Sequence, residues 1–347
     1  MPAGPDGHPP RHGYMQREMS DPAPPRRSAP SLSRRALIGL GAGAMLAACT
    51  PATRRDSFVV AHPPIGRLIK VEGHFVHVDV AGRGPDVILL HGASANLRDF
   101  TFDLAPRLAR DFRVIAFDRP GLGYSQSIDP QGESPEEQAA LLDAAAAQLG
   151  VRRAIVLGHS YAGAVALAWA IHRPRRVAGI VTLSGVTMPW PGTLGPWYPI
   201  AASEIGGATL VPLISALAPQ AGVDRALDFF FAPQQVPPGY ADYVGIDLAL
   251  RPSAIRANAR QIDILKPHIV AMAAHYPRLT IPAEIVHGTA DRIVPPRIHS
   301  IPLAGILPNA RLNLLPGVGH MPHHVRTDEV IATIRRAARR AGLKAPA

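Results

Sequence analysis

The sequence has a single cysteine, Cys49, among 347 residues, so one chain can form neither an internal disulfide nor a cysteine-based metal site. Charged residues are also scarce, at 18%, which argues against a globally disordered chain. The sequence contains no glycine-rich phosphate loop and no dinucleotide-binding fingerprint. The net charge is +10, yet no long run of Lys and Arg is interleaved with aromatic residues, so nucleic acid is not a predicted partner.

What the sequence does contain is enough apolar material for a substantial core. Hydrophobic residues make up 47% of the chain, which suits one large domain or one domain with a sizeable insertion. The basic excess is uneven: residues 1–48 hold six Arg and three acidic residues and so contribute +3 of the net +10. We interpret the positive charge as a solvated basic surface.

Residues 1–49 are predicted to contain an export signal. Arg34 and Arg35 follow a serine and precede an apolar stretch, residues 36–48, which is shorter than the about 20 residues needed to span a bilayer. The paired arginines resemble a twin-arginine signal, and the LAAC sequence ending at Cys49 resembles a bacterial lipobox. These resemblances imply a lipid-anchored protein of the bacterial periplasm or cell envelope.

From Leu68 onward, short apolar runs alternate with longer helical patterns. The run DVILLHG, residues 86–92, is typical of a strand buried on both faces of a sheet. The clearest helical pattern begins at Ser134, which with Glu137 forms a capping box. The alternation predicts an α/β fold with a mostly parallel sheet flanked by helices. Other predicted strands lie at residues 112–118, 153–160, 177–185, 283–288 and 310–317, and a hairpin at 67–82 turns at Glu72-Gly73.

Residues 187–276 interrupt this alternation. They show no clear strand pattern and hold many prolines, two tryptophans and the run Phe229–Phe231. We interpret them as a largely helical lid inserted over the edge of the sheet. The predicted organisation is a disordered segment before the signal (residues 1–30), a tether (50–64), a core in two pieces (65–186 and 277–347) and the lid between those pieces.

The predicted strand at residues 153–160 ends in GHSYAG, residues 158–163, and leads directly into a helix. This sequence resembles the nucleophile elbow, G-x-S-x-G, of the α/β-hydrolase fold, with Ala162 in place of the last glycine. Small residues are needed because the strand and helix approach closely at a strained turn. The resemblance covers residues 67–336 and implies an α/β-hydrolase fold, Ser160 as nucleophile and no cofactor. Serine at this position disfavours haloalkane dehalogenases and epoxide hydrolases, which use aspartate.

The same resemblance implies a base and an orienting acid, because a serine hydroxyl alone is a poor nucleophile. In this fold the chain order is serine, acid, histidine. Asp291 in IVHGTADRIVP and His320 in LLPGVGHMPHH follow predicted strands in that order. His323 and His324 are rival bases. No acid or cysteine is suitably spaced from them for metal binding, so no metal site is predicted.

The oxyanion hole is implied to consist of two backbone amides. The resemblance assigns one to Tyr161, directly after the nucleophile, and the other to Ala93, in the loop after the LLHG sequence. His91 and Gly92 are expected to shape that loop. Asp118 and Arg119, in the segment FDRPGLGYS, are interpreted as turn-building residues.

These features predict a serine hydrolase, most directly a carboxylic ester hydrolase that forms an acyl-enzyme on Ser160. Carbon–carbon bond hydrolysis, cofactor-free haloperoxidase-like chemistry, and amide or lactone hydrolysis use the same triad and remain alternatives. A catalytically silent binding lipoprotein is a further alternative, against which the intact triad argues. The expected partner is an apolar small-molecule ester, with membrane attachment through Cys49. Candidate pocket residues are Trp190, Trp197, Tyr198 and Phe230.

Overall fold

A computed structural model describes residues 62–343 of the chain. The predicted export signal, the predicted lipidation site at Cys49 and all but the end of the predicted tether lie outside the described residues. At that end, His62 Nε2 lies 2.9 Å from the carbonyl oxygen of Asp242, and Arg98 donates a hydrogen bond of 2.6 Å to the carbonyl of Pro63. His62 and Pro63 are therefore docked on the domain.

Eight strands form one sheet: β1 (Arg67–Val71), β2 (His74–Ala81), β3 (Asp86–Leu90), β4 (Arg113–Phe117), β5 (Ala154–His159), β6 (Val177–Leu183), β7 (Ala283–Gly288) and β8 (Ala310–Leu315). Their order in the sheet is β1-β2-β4-β3-β5-β6-β7-β8. β2 pairs antiparallel with β1 and β4, and all other neighbours are parallel. Strands β5 and β6 are buried along their whole length, as continuous apolar runs require.

The two-residue turn between β1 and β2 forms where the sequence predicts it. Glu72 and Gly73 have φ angles of 50° and 90°, so both adopt the left-handed conformation. Such turns match the right-handed twist of the flanking strands. The hairpin is closed by the pairing of Val71 with His74.

The helices occupy the following ranges: α1 (Arg98–Thr101), α2 (Leu104–Leu108), α3 (Pro135–Gln148), α4 (Ala162–His172), α5 (Trp197–Ala202), α6 (Glu204–Leu217), α7 (Gln220–Phe231), α8 (Tyr240–Val244), α9 (Asp247–Leu250), α10 (Pro252–Ala273), α11 (Ser300–Ile306), α12 (Pro322–Val325) and α13 (Thr327–Arg340). Short 3₁₀ turns lie at Pro174–Arg176 and Tyr276–Arg278. The capping box at the start of α3 is present: the Glu137 amide donates to Ser134 Oγ at 3.2 Å, and the Ser134 amide donates to Glu137 Oε2 at 2.8 Å.

Helices cover both faces of the sheet. On one face α3, α4 and α11 contribute Leu142, Val165 and Leu303 to a buried apolar cluster. On the other face α1 and α13 contribute Phe100 and Ile334 to a second cluster. The predicted α/β fold, a mostly parallel sheet flanked by helices, is therefore confirmed.

The segment between β6 and β7 is helical. Within the described residues, 184–282 contain no strand and hold α5 to α10. We refer to residues 187–276 as the helical insertion. Its longest helix, α10, joins the core through Ile262, Leu265 and Ile269. No single helix of the described residues is long and apolar enough to cross a membrane, whereas α6 and α7, bent by 97°, would pass that test as a pair by length and composition alone.

Candidate active site

Ser160 lies on a strained turn between β5 and α4. Its φ of 53° is in the left-handed region, which costs a residue with a Cβ about 1–2 kcal/mol. Backbone hydrogen bonds hold this conformation: the Ser160 amide donates to the carbonyl of Leu183, and the Ser160 carbonyl accepts from the amides of Gly163 and Val186, all at 2.9 Å. The turn therefore fixes one hydroxyl at the carboxyl end of the parallel sheet.

Glycine is required on both sides of this turn because main-chain segments meet there. A Cβ on Gly158 would lie 2.0 Å from the carbonyl oxygen of Ala162, and a Cβ on Gly163 would lie 2.8 Å from the Cα of Gly185. Ala162 itself is fully buried, and its methyl group is accommodated. The departure from G-x-S-x-G is tolerated because the close contact with the next segment falls on Gly163.

Asp291 and His320 meet from the loops that follow β7 and β8. His320 Nδ1 lies 2.8 Å from Asp291 Oδ2. Because a carboxylate only accepts hydrogen bonds, Nδ1 carries the proton and Nε2 keeps its lone pair. Within residues 62–343, neither His320 Nε2 nor the Ser160 hydroxyl has a hydrogen-bond partner, and both residues line the same cavity. His320 thus has the tautomer that a base needs, and its acceptor nitrogen is unoccupied.

The Asp291 carboxylate is fixed by several donors. Oδ1 accepts from the amides of Ile293 and Val294, each at 2.9 Å, and Oδ2 also lies 3.0 Å from Nε2 of His287. Burial opposes ionisation of Asp291, but the hydrogen bonds from His287 and His320 outweigh it and hold the pKa of the carboxyl well below its usual range. His287 is not among the residues predicted for the site, although its position in the IVHG sequence, four residues before Asp291, is an available signal.

Two backbone amides beside Ser160 have no hydrogen-bond acceptor within the described chain. They belong to Ala93 and Tyr161, the two residues that the sequence assigns to the oxyanion hole, and both residues line the cavity. The neighbouring amide of Ser94 is already used, because it donates to Asn258 Oδ1 at 2.8 Å. The arrangement leaves two fixed donors for negative charge that develops on a carbonyl oxygen.

Arg119, interpreted from the sequence as a turn-building residue, is completely buried and contacts both sides of this amide pair. Its Nε donates to the carbonyl of His91 at 2.8 Å and its Nη2 to the carbonyl of Gly92 at 3.0 Å. The guanidinium carbon lies 4.3 Å from the centre of the Tyr161 ring. Burial lowers the pKa of Arg119 to about 10, so the side chain stays charged at neutral pH. We infer that Arg119 positions both the loop before Ala93 and the nucleophile elbow.

The rival histidines, His323 and His324, are hydrogen bonded elsewhere. Their Nε2 atoms lie 3.0 Å and 2.8 Å from the two carboxylate oxygens of Asp99 on α1. Sequence spacing offered no acidic partner for them, because Asp99 is more than 200 residues away in the chain. His320 is therefore the histidine of this segment that is paired with Asp291.

A cavity of about 710 Å³ opens beside Ser160 beneath the helical insertion. The cavity wall is mostly apolar. Within the described residues, its lining contains no lysine or arginine, and Asp99 is its only carboxylate. All four residues that the sequence singled out for the pocket line this cavity: Trp190, Trp197, Tyr198 and Phe230.

The fold and this site together define an α/β-fold hydrolase. The profile of the alpha/beta hydrolase fold matches residues 85–327, and the chain belongs to this family. Over 252 residues, or 69% of its length, the chain is 32% identical to part of polyketide synthase ThaQ from Burkholderia thailandensis, and this match spans 11% of that protein.

Relatives of comparable length differ in activity. The chain is 29% identical over 271 residues to 2-hydroxymuconate semialdehyde hydrolase of Pseudomonas putida, covering 74% of the chain and 88% of the relative. It is also 29% identical over 261 residues to pimeloyl-[acyl-carrier protein] methyl ester esterase of Edwardsiella ictaluri, covering 72% and 90%. A solved thermophilic esterase from Thermogutta terrifontis, 21% identical, superposes with a TM-score of 0.64 over 80% of the chain and 99% of the esterase. The family is thus established as a hydrolase family, while its members named here act on different bonds.

Proposed function

We propose that the protein is a serine hydrolase that cleaves carboxylic esters through an acyl-enzyme on Ser160. In the first step, His320 Nε2 takes the hydroxyl proton as Ser160 Oγ bonds to the ester carbonyl carbon. The carbonyl electron pair moves to the oxygen, which the amides of Ala93 and Tyr161 stabilise. Collapse expels the alcohol, which receives its proton from His320. Water then attacks the acyl-enzyme by the same route and releases the carboxylic acid.

One observation carries this proposal: a strained serine, a free imidazole nitrogen and two unoccupied amides converge on one cavity. Asp291 holds the imidazole from its far side with a 2.8 Å hydrogen bond, and this is the support that an accepting Nε2 requires. A serine with only a turn-building role would explain neither the paired histidine nor the two free amides.

The cavity favours a neutral and apolar substrate. A carboxylate-bearing substrate would be buried in a wall that has no lysine or arginine in the described chain and that holds one carboxylate, Asp99. Burying an anion without a cationic partner is costly. An ester with apolar groups on either side of the scissile bond meets no such penalty, and the aromatic rings of Trp190 and Phe230 offer it contact area.

Carbon–carbon bond hydrolysis is the second candidate. The Pseudomonas putida relative is named as a hydrolase of 2-hydroxymuconate semialdehyde, a name that denotes a carboxylate. The same triad serves both reactions. The absence of a cationic side chain from the described cavity wall favours the ester.

The proposal is tested by p-nitrophenyl ester hydrolysis with acyl chains from acetate to palmitate, using the full chain and Ser160→Ala. We expect turnover with a chain-length optimum in the wild type, none in Ser160→Ala, and labelling of Ser160 by a fluorophosphonate. Two matched p-nitrophenyl esters, the neutral butyrate and the anionic hemisuccinate, test whether the cavity disfavours an anionic substrate. This comparison is made in the presence of a chelator. We expect kcat/KM for the anionic ester to be lower by about 10-fold or more.

Two results would overturn the proposal. Equal turnover by wild type and Ser160→Ala would remove the nucleophile. Labelled Ser160 with no turnover of any ester would mean that the triad is competent for another bond, and carbon–carbon substrates would then be the ones to assay.

We also propose that the protein is exported and lipid-anchored through Cys49, on the support of the sequence pattern alone. Globomycin treatment of a bacterial host should leave the precursor uncleaved, whereas the untreated host should yield a lipidated form that begins at Cys49. An unmodified cysteine in the untreated host would contradict the proposal.

A further inference from the structure

A buried cluster of one carboxylate and three imidazoles lies behind His320. Asp99 accepts from His323 and His324, as described, and from the Tyr240 hydroxyl at 2.7 Å. The third imidazole is His159, whose Nδ1 lies 3.9 Å from Asp99 Oδ2. The ligand atoms of Asp99, His323 and His324 all lie within 4.8 Å of one another. None of these four residues takes part in the proposed acyl transfer.

The orientation of His159 leaves a lone pair beside this carboxylate. Its Nε2 lies 3.0 Å from the main-chain carbonyl oxygen of His320, so Nε2 must carry the proton. In the neutral ring the other nitrogen, Nδ1, then keeps its lone pair. This buried nitrogen has no hydrogen-bond partner within residues 62–343. A lone pair that faces a carboxylate with no proton between them is unfavourable unless a cation lies there.

The charge balance of Asp99 points the same way. The side chain is buried, and both of its oxygens accept hydrogen bonds, from His323, His324 and Tyr240, as an ionised carboxylate does. No lysine or arginine of the described chain forms an ion pair with Asp99. Asp99 is therefore a buried anion whose direct hydrogen-bond partners include no permanent cation, an arrangement that a bound cation would relieve.

We propose that Asp99, His323 and His324 form a site for a divalent transition metal ion, with His159 Nδ1 as the fourth donor. Imidazole nitrogen and carboxylate oxygen are both donors that Zn²⁺ and Co²⁺ accept. Bonds of about 2.0–2.2 Å in a tetrahedral site place neighbouring ligand atoms about 3.3 Å apart. His323 and His324 contact different oxygens of Asp99, Oδ2 at 3.0 Å and Oδ1 at 2.8 Å. The ligand atoms lie within 4.8 Å of one another, so the side chains must move closer together to share one ion.

Metal binding does not require either imidazole to release a net proton. In the described structure His323 and His324 direct Nε2–H at Asp99, and their Nδ1 atoms are buried without a hydrogen-bond partner in residues 62–343. When the ion binds at Nε2, the proton of each neutral ring moves to Nδ1. The ion thus replaces two hydrogen bonds, and neither imidazole loses a net proton.

The ion can reach the site from the cavity. Asp99, His159 and Tyr240 line the cavity, whereas His323 and His324 do not. A bound ion would give this cavity a positive charge that the lining residues of the described chain do not supply. The site therefore fits a resident metal ion next to the substrate space. The charge argument for a neutral ester applies to the metal-free protein, and for that reason the two esters are compared in the presence of a chelator.

The test is Zn²⁺ titration calorimetry and Co²⁺ absorption spectroscopy on the full chain, without a polyhistidine tag and after treatment with a chelator. The variant is His324→Phe, because His324 is packed among Phe102, Phe231 and Tyr240 and a phenyl ring suits that site. The matched control is His275→Phe, which removes an exposed imidazole. The centre of that ring lies 6.4 Å from the centre of the His172 ring. Asp99→Asn is a second variant of the site, for use if His324→Phe does not fold.

We expect one Zn²⁺ per chain and the visible absorption of four-coordinate Co²⁺ in the wild type and in His275→Phe. Loss of an outer partner of a metal ligand weakens binding about 10–100-fold, so loss of a ligand in either site variant should weaken it at least about 100-fold. Absence of binding by the folded wild type would overturn the proposal. Equal binding by wild type and His324→Phe, or loss confined to His275→Phe, would show an adventitious ion only and would leave Asp99 as a purely hydrogen-bonded carboxylate.

Discussion

The two oxygens of Asp291 have different partners, which makes the consequence of Asp291→Asn specific. Oδ1 accepts from two amides, so the asparagine oxygen must take that place and its NH₂ group must face His320 and His287. Two donors then confront each other, and His320 must adopt the tautomer with its proton on Nε2. We expect kcat to fall about 10⁴-fold by analogy with other triads.

The control for this change is Asp263→Asn, which makes the same substitution at an exposed position of α10. Ester hydrolysis by Asp263→Asn should match the wild type. A loss of less than about 10-fold in Asp291→Asn would show that another acid orients His320.

A second prediction at the scale of single residues concerns the effect of Arg119 on kcat. In Arg119→Lys the planar fork is lost, and one ammonium group cannot reach the carbonyls of His91 and Gly92 while also packing on Tyr161. The amide of Ala93 is then less well placed for the oxyanion. Since removal of one oxyanion donor costs about 10²–10³-fold in kcat, displacement of one should cost about 10-fold or more.

KM separates this positioning role from a general loss of structure. We expect KM to change less than about threefold, because the affected interaction forms in the transition state. Arg107→Lys, at a half-exposed surface ion pair with Asp103, is the control and should leave kcat unchanged. A rise in KM with normal kcat would contradict the assignment.

The sequence predicted the residues of the proposed triad, because each follows a strand within a recognisable local motif. Ser160, Asp291 and His320 are of this kind. Their supporting residues are different: Arg119 and Asp99 acquire their roles through contacts with residues far along the chain, which local spacing does not encode. His287 is an intermediate case, since it is four residues from Asp291 yet reads as an ordinary strand residue.

At the scale of elements, turns and caps were predictable while the helical insertion was not resolved into its parts. The capping box of α3 and the hairpin turn depend on neighbouring residues alone. In the insertion, Pro212 and Pro267 lie inside α6 and α10, where local propensity opposes a helix. Packing decides those helices, and α10 is anchored by Leu265 and Ile269 in the main core.

The strand–turn–helix element at Ser160 can be tested through its glycine. Gly158→Ala would place a Cβ 2.0 Å from the carbonyl oxygen of Ala162, and neither main-chain segment can yield without opening the elbow. We expect the free energy of unfolding to fall by about 3 kcal/mol or more, or the folded protein to be lost. Denaturant unfolding measures this directly.

Gly305→Ala is the matched control, because nothing lies within 4 Å of a Cβ added at that position in α11. There we expect no loss, and a gain of up to about 1 kcal/mol from helix propensity. Equal stability of the two variants would contradict the close approach of β5 and α4 at Gly158.

At the scale of the whole molecule, buried neutral histidines make stability depend on pH. Burial, assisted by the charge of Arg119, lowers the pKa of His91 to about 4, and burial lowers that of His299 to about 4. In the unfolded chain both side chains titrate near about 6.5. Between these values the unfolded state binds more protons than the folded state, so stability decreases as the pH falls from 6.5 towards 4.

Each of these groups can contribute up to about 3 kcal/mol to this loss. His77 acts in the opposite direction, because its bonds to Asp118 and Ile65 outweigh burial and raise its pKa. Burial also lowers the pKa of His159 and His323, so four histidines oppose His77. We therefore expect the free energy of unfolding in urea to fall steadily from pH 6.5 to pH 4.5.

His299→Asn measures the contribution of His299 to the pH dependence of stability. His299 Nδ1 accepts from the amides of Thr187 and Met188 at 3.3 Å and 3.2 Å, and an asparagine oxygen can accept in its place without titrating. The free energy of unfolding of the variant should fall less steeply as the pH falls from 6.5 to 4.5. The difference in slope should correspond to up to one bound proton. His172→Asn, which changes an exposed histidine, should keep the wild-type slope. An unchanged slope in His299→Asn would mean that this imidazole is already protonated in the folded protein, and the acceptor role at the start of the helical insertion would have to be abandoned.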